Sequence, residues 1–144
     1  MKIFSIVFFA ILLSAGVYAQ DVKYFNTNGN AIKGYDAVAY FLQNKAIKGS
    51  DSFSCDWSGS KWLFASKANL DSFKLSPEKY APQYGGYCAY GCSENHLAPT
   101  DPNAFTIVGN KLYLNYNLKV KEIWVKDTTG KIKAADGYWP ALNK

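Results

Sequence analysis

The sequence predicts a small α+β fold in one domain, with two β-hairpins packed against short helices. Three observations predict it. Residues 53–64 alternate aromatic and polar side chains around a glycine turn, residues 104–116 repeat that pattern around Gly109-Asn110, and each stretch is followed by a segment of helical period. The 144-residue chain has no internal repeat, linker or low-complexity tract, so one core is expected.

Taken in chain order, "MKIFSIVFFAILLSAGVYAQ" opens with Lys2, an apolar run from Ile3 to Leu13, and small residues leading to Ala19. This is the pattern of a secretory signal peptide over residues 1–19, cleaved after Ala19, and the run is shorter than the roughly 20 residues that span a bilayer. Periplasmic or secreted residence, with no membrane span after cleavage, is the expectation, and residues 20–144 form the domain. "NTNGNAIKGYDAVAYF" begins with turn residues, then gives a short helical turn led by Asp36 as its N-cap, with Val38, Tyr40 and Phe41 behind it.

"DSFSCDWSGSKWLFAS" sets Phe53, Cys55 and Trp57 against Ser52, Ser54 and Asp56, turns at Ser58-Gly59-Ser60, and resumes with Trp62 and Phe64. Ser66 caps a helix through Phe73, with Ala68, Leu70 and Phe73 as its inner side, and Pro77 starts a further short turn to Tyr80. Asp101-Pro102 predicts a turn ahead of the second hairpin. "NLKVKEIWVKD" has the period of an amphipathic helix through Leu118, Val120, Ile123 and Trp124, and the tail from Thr128 predicts another short helix whose Trp139 docks on the core.

Charge and composition exclude some functions. The formal net charge is +5 and every cation is lysine; the absence of arginine removes the planar fork suited to phosphate, and the scattered lysines do not make a nucleic-acid surface. Aromatic residues make up 17% of the chain, which suits either a ring-built core or a pocket lined by Tyr35, Tyr40, Trp57, Trp62, Tyr84, Tyr87 and Tyr90.

The chemistry concentrates in "YGGYCAYGCSENH", which holds Cys88, Cys92 and the single histidine, His96, at intervals of four. Thiolate and imidazole are ligands for zinc and copper, so Cys88, Cys92 and His96, with Cys55 from the first hairpin as a fourth donor, are the candidate metal ligands. Gly85, Gly86 and Gly91 argue for turns rather than a helix here, so the spacing alone does not bring the three together. Two alternatives stand beside the metal. In an oxidising compartment Cys88 and Cys92 form a disulfide, with Cys55 a small buried hydrophobe, or all three are reduced structural cysteines. The Cys-x-x-x-Cys spacing departs from the thioredoxin-type motif, and no serine, histidine and acid grouping presents itself, so a non-enzyme is expected.

The order of "GYDAVAYF" (34–41), "KAIKGSDSFSCDWSGSKWLFAS" (45–66), "SPEKYAPQYGGYCAYG" (76–91) and "KLYLNYN" (111–117) resembles the YHS domain family, in particular its exported, stand-alone bacterial members, over nearly all of residues 20–144. The resemblance implies a small α+β domain whose aromatic hairpin packs on a helix, related to the TRASH-like metal-binding domains of heavy-metal transporters. In the transporter-associated versions three cysteines fall at positions matching Ala39, Ala65 and Asn69, so that site does not carry over. The resulting expectation is an exported binding protein for copper or zinc. The alternative is a structural or interaction module with a disulfide-bonded or inert cysteine loop, whose aromatic cleft meets a small ligand or a protein partner.

Overall fold

The computed structural model describes residues 21–144; the expected signal peptide lies outside the described residues. Two short strands, β1 (Asn26–Thr27) and β2 (Asn30–Ala31), precede the helical turn α1 (Ala39–Leu42). The first hairpin is β3 (Ser50–Trp57) and β4 (Ser60–Phe64), followed by α2 (Lys67–Leu75), α3 (Pro77–Tyr80) and α4 (Ala89–Ser93). The second hairpin is β5 (Asp101–Val108) and β6 (Lys111–Asn115), and α5 (Leu118–Trp124) and α6 (Thr128–Leu142) close the fold. This is the α+β arrangement of two hairpins and helices that the sequence predicts.

Both hairpins turn on two left-handed residues, Ser58 (φ 50°) with Gly59 (φ 77°) and Gly109 (φ 56°) with Asn110 (φ 58°). Successive positive φ values match the twist of the flanking strands, which explains why these dipeptides fix the register. The first hairpin also extends into a four-stranded sheet of order β1-β2-β4-β3, because β2 joins β4 in parallel at Asn30 and Lys61.

The period of two along β6 divides the interior. Leu112 and Leu114 face a first cluster built on Trp62, Phe64 and Phe73, while Tyr113 faces a second with Tyr84, Ala89, Cys92, Trp124 and Ala135. In the first cluster Phe73 meets Trp62 at 4.9 Å, Phe64 at 5.0 Å and Trp57 at 5.6 Å between ring centroids.

Four local expectations are corrected. The inner side of α2 is Asn69, Leu70 and Phe73, with Ala68 exposed, because the Asn69 amide is drawn inward to donate to Asp36 at 2.7 Å. Asp101 and Pro102 begin β5 rather than a free turn. The turn chemistry survives as a bond from Asn103 N–H to Asp101 Oδ1 (2.9 Å) and a register slip between Asp101 and Phe105. In α5 only Trp124 is buried, and Leu118 and Ile123 face solvent. The tail helix α6 runs four turns, far beyond a short helix: Asp127 caps it through Gly130 N–H (3.0 Å), and Ile132, Ala135 and Trp139 recur at helical spacing against the second cluster. Trp139 docks as predicted.

Candidate functional site

The cysteine stretch is shaped by its glycines. Tyr84, Gly85 and Gly86 are all left-handed (φ 55°, 61° and 79°), which turns the chain beneath the segment that leads into β1. Gly85 has no substitute there, since a Cβ would stand 2.4 Å from the Lys23 carbonyl oxygen. Phe25 N–H donates to Gly85 O at 2.8 Å.

Beyond the turn, the glycine-rich run that the sequence reads as loop forms α4. Cys88 stands at its N-cap, where Sγ accepts from Gly91 N–H (3.4 Å), and Cys92 N–H donates to Cys88 O (2.9 Å), so the two cysteines are one turn apart. The helix ends in a Schellman closure: Asn95 is left-handed (φ 62°) and donates to Cys92 O, and His96 N–H donates back to Gly91 O (3.0 Å). This folds His96 over Gly91, with Nε2 3.3 Å from where a Cβ on Gly91 would stand.

Cys88 and Cys92 are buried, and His96 is exposed on the outer side of the turn. Cys55 pairs with Trp62 across the first hairpin and packs on the first cluster, whereas Cys92 belongs to the second. The structure thus brings Cys88 and Cys92 together and leaves Cys55 elsewhere. Among the described residues no three His, Cys, Asp or Glu side chains assemble into a metal-holding group, so a four-donor tetrahedral site does not fit, although two adjacent thiols suit a soft ion. All three cysteines are free thiols.

Burial, with the neighbouring Cys88 adding to it, pushes the Cys92 thiol up to about 12 from an ordinary 9.0. Because the folded state holds this proton more tightly, Cys92 supports stability fully below pH 9.0, and that support is lost as pH rises toward about 12. A chromogenic thiol reagent at neutral pH is accordingly expected to label Cys55 in the native protein and to reach Cys88 and Cys92 only on unfolding. Rapid native labelling of all three would contradict the buried pair.

Asn115, a residue the sequence reading passed over, is the polar neighbour of the pair. It shares the face of Tyr113 on β6, is fully buried, and accepts from Tyr90 N–H (3.0 Å) and from the Cys88 thiol (3.5 Å). Its Nδ2 and the Trp124 Nε1 find no hydrogen-bond partner among the described residues. The only sequence signal for Asn115 was its inward parity in the alternating "KLYLNYN".

A second constellation surrounds Asp36. Its Oδ1 accepts from Val38 N–H (2.8 Å) and Ala39 N–H (3.1 Å), and its Oδ2 from Ala65 N–H (2.9 Å) and Asn69 Nδ2 (2.7 Å). The three positions where the resemblance puts transporter-type thiols therefore do converge, but on a buried carboxylate that ties α1, the end of β4 and α2 together.

Of the two roles open to the aromatic set, the ring-built core is the one that forms. Tyr40 and Trp62 are core residues, and of the seven rings only Tyr84 lines the groove that forms between the segment before β1, α3 and α6. Its other rings are Tyr24 and Trp139, more than a hundred residues apart in sequence, which no local pattern pairs.

The comparison with curated proteins and that with solved structures gave no match. The family model for the YHS domain matches residues 38–84, a span that runs from α1 through the first hairpin and α2 to Tyr84, and that stops short of the cysteine pair. Over this hairpin-and-helix unit, about a third of the sequence, the chain is similar to the YHS domain family.

Proposed function

We propose that the protein is an exported, non-catalytic binding protein that takes up copper(I) on the thiols of Cys88 and Cys92. The observation that carries this reading is the pair itself: two buried thiols one helical turn apart, Cys92 in the second apolar cluster and Cys88 beside Asn115. Thiolate is the preferred donor of a soft monovalent ion, and copper(I) accepts two such donors. Zinc in structural sites takes four donors, and no three-donor group is assembled among the described residues, so copper(I) is favoured over zinc. Copper(I), when bound, would supply one positive charge against two thiolates, so both thiol protons would leave to solvent and the pair would keep one net negative charge. Cys92, a weak acid in its buried setting, releases its proton only as the metal binds, and affinity falls as pH falls.

A second reading has its own support. Cys88 Sγ already caps α4 and bonds to Asn115, which is what an inert structural cysteine does. Elemental analysis of protein purified under reducing conditions and exposed to copper(I) separates the two. About one copper per chain, lost in Cys88→Ser/Cys92→Ser, is the expected result, with the affinity of a thiolate site. Absence of copper would overturn it, in favour of a disulfide where protein purified without reductant shows two fewer titratable thiols than the three in the sequence, and of inert cysteines where it shows all three; retention of copper in the double variant would move the site elsewhere.

A further inference from the structure

The groove beside α6 has a composition at odds with the rest of the chain. Lysines outnumber acids sixteen to eleven in the sequence, yet the groove is lined by Glu78 and Asp136 and by no lysine. Neither carboxylate is in an ion pair among the described residues. Three rings complete the walls, Tyr24, Tyr84 and Trp139. We propose that this groove binds a small organic ammonium ion, held between the aromatic rings and the two carboxylates.

The volume is about 250 Å³, just below the roughly 300–1,000 Å³ of sites for drug-sized molecules, so the ligand is small. Ring faces and carboxylates attract the same charge: an ammonium group over an aromatic face gains electrostatic energy that grows as water is excluded. An anion would meet two negative charges, and a neutral molecule would forgo both attractions.

The site is held in place. Tyr84 O–H donates to Asp136 Oδ1 at 2.8 Å, which fixes the carboxylate and leaves Oδ2 for a ligand. Tyr24 is braced by Trp57 and Trp62 at 5.3 and 5.1 Å, and Trp139 lies 5.9 Å from Tyr84, near perpendicular. Burial, with the Glu78 charge adding to it, pushes the Tyr24 hydroxyl up to about 12, so it stays neutral and the negative charge rests on the carboxylates. The segment carrying Tyr24 is clasped at its base by Asn143, whose Oδ1 accepts from Lys23 N–H (2.9 Å) and whose Nδ2 donates to Asp21 O (3.0 Å). Gly85, lacking a Cβ, lets Trp139 and the Lys23 backbone close over it.

The test is a titration of the purified protein with choline, followed by protein NMR, beside its neutral isostere in which a tert-butyl group replaces the trimethylammonium. Saturable binding of choline with shifts centred on Trp139 and Tyr24, and about tenfold weaker binding of the isostere, is expected. Glu78→Gln and Asp136→Asn, the latter retaining an oxygen for Tyr84, should each weaken choline severalfold with the native spectrum intact, and Trp139→Leu should weaken it further. Cys88→Ser/Cys92→Ser should bind choline as the parent does, which keeps this site separate from the metal proposal. Equal affinity for the two probes, no saturation by choline, or wild-type affinity in both carboxylate variants would overturn the proposal.

Discussion

Asp36→Ala is expected to lower the free energy of unfolding by about 3–5 kcal/mol, because three buried N–H donors and one half-buried one lose a charged acceptor at once. Each unsatisfied donor alone costs about 1–3 kcal/mol, and partial entry of water keeps the total below their sum. Asp36→Asn separates the two halves of the hub. Its remaining oxygen serves Val38 and Ala39, while its new amide points donors at Ala65 N–H and at Asn69, so its loss should be intermediate. Urea unfolding followed by far-ultraviolet circular dichroism measures both, and a loss under about 1 kcal/mol for Asp36→Ala would show that the carboxylate is not the tie between α1, β4 and α2.

The second large effect is expected at Phe73, whose truncation to alanine should cost about 3–5 kcal/mol. The ring is fully buried and is the contact through which α2 reaches Trp57, Trp62 and Phe64. Phe73→Leu keeps most of the volume and should lose clearly less, whereas Ala68→Ser, five residues earlier on the exposed side, should stay within about 0.5 kcal/mol of the parent. Equal losses at 68 and 73 would reverse the assignment of the inner side of α2.

These residues also show what the chain made legible. The two hairpins were readable because a type I′ turn demands particular dipeptides and a half-buried strand demands alternation, both of which are local. Asp36 was readable as a cap, since capping is local too; its second oxygen was not, because Ala65 and Asn69 reach it only once the hairpin has folded back. Asn69 misled the reading of α2 for the same reason: a polar side chain counts as outward until a buried partner is known. The cysteine stretch was misjudged by composition. Three glycines suggested loop, yet Gly91 is what lets His96 close the helix end, and a thiol took the capping place that hydroxyls and carboxylates usually hold. The groove was invisible because its walls come from opposite ends of the sequence.

That last feature sets an order of events during synthesis. Asp21 and Lys23 emerge from the ribosome some 120 residues before Asn143, the side chain that fastens them. The first hairpin and α2 are made well before then, so they are the part able to pair first, and the groove wall waits for the final turn of α6. Until that turn arrives, Asp21 and Lys23 lack the side chain that ties the start of the described chain to its end.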